Sequence, residues 1–292
     1  MNEAGPVTPS VALPQFAREA HRGVCDTPRY RCPYYVWGDG PNILFIPGLC
    51  DDGLSFAMPI ALLRDRFRCI AYDLPTGDGD GARLADYRHA DYVADVFAVL
   101  DHVGARESFV YGSSFGATIA LAAMHADPER FPKAVLQGGF ARRPLAWAEL
   151  LLASWARWWP GPMRRLPLRE AILRRSHFGP FADSPEETWR FFLERSGAPP
   201  MSTVAHRALL LHQVDLRSLL PEISQPTLLI CGDCDPLVGK DCENVLRGGL
   251  PVAARAEIVG CGHMPQFTHP GIVAELVTRF LSPAACGSAG EC

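Results

Sequence analysis

Residues 108–126 read SFVYGSSFGATIALAAMHA: a β-prone run, two serines between glycines, and an alanine-rich stretch of strong helix preference that stops before Pro128. A strand that turns sharply into a helix must lay that helix back on its own sheet. Taken with the strands and helices that alternate along the rest of the chain, the unit points to an α/β protein with a mainly parallel sheet covered on both faces. The turn fits Gly-x-Ser-x-Gly only if Ser114 is the central serine, between Gly112 and Gly116. In that setting the serine takes a strained conformation that exposes its hydroxyl, and the glycines let neighbouring backbone pass closely. Ser113 is then a filler. The N-terminus of the following helix adds partial positive charge near any oxyanion that develops at Ser114.

The rest of the chain repeats this alternation. Segments 34–37, 43–46, 67–72, 134–137, 227–231 and 256–259 read as strands, and the first two, separated by GDGPN, read as a hairpin. Residues 92–103 place Val93, Val96, Phe97 and Leu100 at helical spacing, with Gly104 where a C-cap glycine belongs. Pro270 opens a last helix whose apolar face is Ile272, Val273, Leu276, Val277 and Phe280. Residues 141–221 break the rhythm with turn-rich WPGPM and APPM, helical patterns, and Trp147, Trp155, Trp158 and Trp159 crowded together. Packing is the default role for tryptophans at such spacing; a lid over an apolar pocket is the functional alternative. The expected organisation is a flexible N-terminal segment (1–20), a core in two parts (21–140 and 222–283), an inserted helical cap (141–221) and a flexible C-terminal tail (284–292).

Several function classes drop out. Of the 292 residues 48% are apolar and 21% charged, and the net charge of −4 leaves no basic footprint for nucleic acid. Arginine is unevenly placed: residues 141–207 hold eleven against six acidic residues. A solvated helical surface is the plain account of that excess, and steering of an anionic substrate the alternative. The N-terminus has no basic start followed by an apolar run, and no apolar run approaches the length of a membrane span. A cytoplasmic protein without an integral membrane segment is expected. The ten cysteines are scattered through a long chain and are expected as free thiols; Cys231 and Cys234 have CxxC spacing but no second pair to complete a zinc site.

A serine hydroxyl is a weak nucleophile; it needs a base, and the base needs an acid to fix its tautomer. Of the nine histidines, His89, His102 and His125 lie in helical patterns, while His177, His206 and His212 lie in the insert. His263 stands apart, in the loop GCGHMPQ between a strand and the last helix, where α/β folds build their sites. His269, its rival, reads as the start of that helix. For the acid, TLLICGDCDPLV offers Asp233 and Asp235 just after a strand. The order Ser114, Asp, His263 is the one expected for a hydrolase on such a sheet.

These stretches together resemble the α/β-hydrolase family. VYGSSFGA is similar to its nucleophile elbow, ICGDCDPLV to its acid loop, GCGHMP to its histidine loop and FIPGL to its oxyanion loop. The resemblance covers residues 34–140 and 224–281, and the insert falls where the family carries a variable cap. It implies Asp235, three residues after Gly232, as the acid; the other position some relatives use, after QGGF, has no carboxylate before Glu149. It also implies an oxyanion hole from the backbone N–H groups of Leu49 and Phe115. Here the chain departs from the pattern, with Pro47-Gly48 where His-Gly is common, and proline donates no N–H.

The chemistry so implied is hydrolysis of a carboxylic ester or thioester of a hydrophobic small molecule through an acyl-enzyme, with no metal or organic cofactor. A base that must be neutral ties activity to the ordinary histidine value of about 6.5. The same triad also serves C–C bond hydrolysis and cofactor-free perhydrolase or haloperoxidase chemistry. A non-catalytic small-molecule receptor is the reading from another class. Relatives that open epoxides or remove halides need an aspartate where this chain has Ser114. Cys50, Cys234 and Cys261 adjoin the loops and read as small, semi-buried residues without a role, rather than redox or metal sites.

Overall fold

The structure, a computed structural model, describes residues 7–159 and 161–282. Its strands are β1 (His21–Asp26), β2 (Arg31–Trp37), β3 (Asn42–Ile46), β4 (Arg68–Tyr72), β5 (Phe109–Ser113), β6 (Ala134–Gln137), β7 (Thr227–Gly232) and β8 (Ala253–Ile258). They form one sheet in the order β1-β2-β4-β3-β5-β6-β7-β8. β2 is antiparallel to both β1 and β4, and every other pairing is parallel.

The expected hairpin of 34–37 with 43–46 does not form. β4 lies between the two, pairing with Val36 through Ile70 on one side and with Ile43 through Cys69 on the other. The reason is burial: Ile43, Leu44, Phe45 and Ile46 are all fully enclosed, which demands a place inside the sheet with both faces covered.

The helices are α1 (Pro9–Glu19), α2 (Ala57–Leu63), α3 (His89–His102), α4 (Phe115–Ala126), α5 (Trp147–Ala156), α6 (Arg169–His177), α7 (Glu186–Gly197), α8 (Met201–Gln213), α9 (Lys240–Gly249), α10 (Pro265–Thr268) and α11 (Pro270–Leu281). Strand residues alternate between two layers, as the two-residue period requires. Leu44, Ile46 and Leu136 pack with Val96 and Val99 of α3 and Ile119 of α4. Ile43, Phe45 and Tyr111 pack with Phe16 of α1, Ile60 of α2 and Val273 of α11.

The N-terminal expectation needs correcting. Residues 9–19 are helical rather than loose, with Ala12 and Phe16 buried and Phe16 set edge-on to Trp37 at 5.3 Å. Pro14 inside the helix hides the pattern in the sequence, and tertiary burial of Phe16 offsets its missing hydrogen bond. Residues 1–6 and the tail at 284–292 lie outside the described residues. β8 starts earlier than expected and leaves Val259 exposed, because an edge strand covered on one side tolerates Arg255 and Glu257. In α11 the buried face is Val273, Ala274, Val277 and Leu281, whereas Ile272 points outward.

Between β6 and β7 the chain is helical, from α5 through α8. Phe181, Trp189, Phe191 and Phe192 of this insertion cluster with Met58 and Phe267 of the core. Its other tryptophans are not packed as expected: Trp147, Trp155, Trp158 and Trp159 are 80%, 75%, 76% and 51% exposed.

Candidate active site

The serine turn is strained. Ser114 sits at φ 53° and ψ −113°, between the end of β5 and the start of α4, a conformation costing on the order of 1–3 kcal/mol for a residue with a side chain. Pairing on both sides enforces it. The N–H of Ser114 donates to the carbonyl of Gln137 at 2.9 Å, stitching the turn to β6. A Cβ on Gly112 would fall 2.6 Å from the Gly116 carbonyl oxygen, and one on Gly116 would fall 2.2 Å from that of Ile46. Both flanking glycines are therefore required by backbone crowding, as the motif suggests. Ser113 points the other way and is buried, its hydroxyl accepting from Gln137 Nε2 at 3.0 Å.

His263 lies in the loop before α10, buried, with Nδ1 2.7 Å from Asp235 Oδ2. The other carboxylate oxygen, Oδ1, accepts the N–H groups of Leu237 at 2.8 Å and Val238 at 3.0 Å. Burial works against ionisation of Asp235, but His263 and these two donors outweigh it and hold the carboxyl below its ordinary range. Asp233 instead accepts the N–H of Cys261 at 3.2 Å and braces the histidine loop. His269 stands at the start of α11, with its Nδ1 turned to the hydroxyl of Thr268 at 2.8 Å rather than to Asp235. Gly138, at φ 52°, lies under the imidazole: a Cβ there would meet His263 Cε1 at 2.7 Å. QGGF thus supplies room for the histidine.

Ser114 and His263 line one cavity of about 390 Å³, together with Leu49, Phe140 and residues of α5 and α8. No hydrogen bond joins the Ser114 hydroxyl to the imidazole in this structure; such contacts are often long without substrate and tighten when it binds. Phe115 is the first residue of α4, and neither its N–H nor that of Leu49 is committed to another group among the described residues. The loop that carries Leu49 is held from above. Arg207 of α8, 1% exposed, donates to the carbonyls of Leu49 at 2.8 Å, Leu74 at 3.2 Å and Pro75 at 3.1 Å.

Beneath the cavity runs a polar chain that sequence reasoning missed. Tyr111 donates to Gln137 Oε1 at 2.5 Å, Gln137 Nε2 donates to Gln266 Oε1 at 2.7 Å, and Gln266 Nε2 reaches Asp51 Oδ2 at 3.4 Å. Asp51 also lines the cavity, and its Oδ1 meets no donor among the described residues. Burial first, then the neighbouring Asp52, pushes its carboxyl up to about 7, with His263 and Arg207 drawing it back. The only signals in sequence were an Asp two places beyond Leu49 and a Gln three beyond His263, neither distinctive alone.

Two of the thiols beside the site are enclosed. Burial chiefly pushes Cys50 and Cys261 up to about 12, so both stay protonated at neutral pH. The eight cysteines among the described residues are unpaired. No group of three or more His, Cys, Asp or Glu side chains suited to a metal ion occurs among those residues.

Residues 41–270 match the sequence model of the alpha/beta hydrolase fold. The chain belongs to the α/β-hydrolase family. Among its α/β-hydrolase relatives, the pimeloyl-[acyl-carrier protein] methyl ester esterase of Methylococcus capsulatus is 29% identical, covering 84% of this chain and 96% of its own length. The 2-hydroxymuconate semialdehyde hydrolase of Pseudomonas putida is 28% identical over 74% of this chain and 78% of its own. Of solved α/β-hydrolase structures, the enol-lactonase from Burkholderia xenovorans LB400 superposes with a TM-score of 0.80 at 20% identity, covering 89% of this chain and all of that one. The protein is thus an enzyme of hydrolase type.

Proposed function

We propose that this hydrolase cleaves a carboxylic ester or thioester of a neutral, apolar small molecule, with Ser114 as nucleophile, His263 as base and Asp235 as its orienting acid. His263 takes the hydroxyl proton as Ser114 Oγ attacks the carbonyl carbon. The N–H groups of Leu49 and Phe115 receive the oxyanion, each worth about 3 kcal/mol of barrier. The imidazolium, steadied by Asp235, then gives its proton to the leaving alcohol or thiol, and water releases the acyl-enzyme by the same steps in reverse roles.

The observation that carries the reading is the buried 2.7 Å His263–Asp235 bond at the wall of the cavity where Ser114 is held at positive φ. The methyl ester substrate named for the Methylococcus relative supports the ester class. Neutrality of the substrate follows from Arg143, the arginine lining this cavity, which is spent on Glu149 and the carbonyl of Leu237. A fluorophosphonate probe should label Ser114, and Ser114→Ala should lose both the label and at least about 10⁴-fold in ester turnover. Turnover that survives this substitution would end the reading.

A further inference from the structure

The outward side of the cap is unlike the rest of the surface. Trp147, Leu151, Trp155 and Trp158 fall at i, i+4, i+8 and i+11 and are all more than half exposed, with Leu152, Leu168 and Ile172 exposed beside them. At about 1.5 Å per residue the stripe is roughly 16 Å long. Monomeric soluble proteins rarely leave contiguous apolar patches of this kind uncovered.

Charge accompanies it. Among the described residues, exposed Arg157, Arg164, Arg165 and Arg175 make no ion pair, and Arg157 stacks on Trp158 at 4.8 Å. The acids of the same stretch, Glu149 and Glu170, already face Arg143 and Arg174. Tryptophan with unpaired arginine is the composition that suits a headgroup layer, where the indole straddles the interface and the guanidinium meets lipid phosphate.

The patch also leads inward. A cavity of about 670 Å³ is lined by Trp155, Trp159 and Ile172. It shares Cys50, Leu152, Met163, Leu166 and Met264 with the cavity that holds Ser114 and His263. The two cavities are therefore neighbours, with exposed tryptophan at the edge of one and the candidate nucleophile in the other.

We propose that the outward face of α5 and the stretch leading into α6 dock on an anionic lipid bilayer, and that esters dissolved in that bilayer reach Ser114 between Trp155, Trp159 and Ile172. The attachment is peripheral: among the described residues no helix is long and apolar enough to cross a membrane. Docking stands on the surface alone, whereas delivery of substrate rests on the ester-hydrolase reading.

The test is co-sedimentation of the intact protein with vesicles of phosphatidylcholine and phosphatidylglycerol in equal parts, against phosphatidylcholine alone. Binding to the anionic vesicles should be at least about tenfold stronger and should weaken with salt. Tryptophan emission should shift to shorter wavelength on binding. A triple variant, Trp147→Ser, Leu151→Ser and Trp158→Ser, and a second, Arg164→Glu, Arg165→Glu and Arg175→Glu, should each lose that binding while turning over a short water-soluble ester at the parental rate. A parent that ignores anionic vesicles overturns the proposal, and so does self-association in sedimentation velocity that the triple variant abolishes, which would assign the face to another copy. Vesicle binding by a protein inactive on every ester would leave docking standing and count against the catalytic reading alone.

Discussion

The two halves of the inserted cap use the same residue types in opposite ways. In α7 and α8 the large side chains face the core: Trp189 is 1% exposed amid Phe181 and Phe192, Arg195 pairs with Asp52 at 3.1 Å, and Arg207 binds three core carbonyls. In α5 and the stretch into α6, tryptophans and arginines face outward with few partners. One half is therefore a clamp on the Leu49 loop, and the other a surface free to meet something else. Residue type does not distinguish them; what each side chain finds opposite it does.

That contrast breaks most visibly at tryptophan. Trp189→Ala should cost about 3–5 kcal/mol in urea unfolding, as for other emptied aromatic sites, whereas Trp158→Ser should change stability by no more than about 0.5 kcal/mol. Equal effects would abolish the distinction between the halves.

The clamp also encloses Asp51, which sharpens the comparison through pH. Its carboxyl, raised to about 7, keeps a proton in the folded state that the unfolded chain has lost above about 3.9. Stability therefore declines as pH rises from about 4 to 7, and above 7 the full penalty is present. Asp51→Asn cannot ionise, so it should gain up to about 4 kcal/mol over the parent at pH 8 and match it near pH 4. Asp73, also raised to about 7 by burial and Asp52, leaves a residual slope in the variant. A thermal melt series across this range reads the difference.

A more modest loss than at Trp189 or Asp51 is expected at the seam between cap and core. Arg207→Met strips donors from the carbonyls of Leu49, Leu74 and Pro75, costing roughly 1–3 kcal/mol of stability. Because the Leu49 loop would then relax, kcat on a short ester should fall more than KM rises. A pure stability loss, with kcat intact at low temperature, would show that the clamp only packs.

Much of the sheet was legible because buried parallel strands are short apolar runs and the helix between β5 and β6 has an unmistakable composition. Ala134–Gln137 and the elbow at Ser114 emerge where expected. The residues alone left Asp233 and Asp235 open beside His263, and only the family resemblance implied Asp235; in the structure Asp235 lies against the imidazole while Asp233 braces the loop. Arg207 was not legible. A charged residue in a helix reads as solvated until the three carbonyls that surround it are known, and those come from positions more than a hundred residues away. The hairpin failed for a related reason: turn residues report a reversal of the chain, and they do not say which strand fills the gap.

By itself the sequence determined the α/β class, the strained serine turn and the loops that carry Asp235 and His263, since each depends on local backbone geometry and on neighbours a few residues apart. The tertiary structure alone decided which charges are buried, which tryptophans are bare and how the Leu49 loop is held. Desolvation and side-chain pairing are properties of a three-dimensional neighbourhood, and identical residues in one helical insertion meet carbonyls on one side and open space on the other.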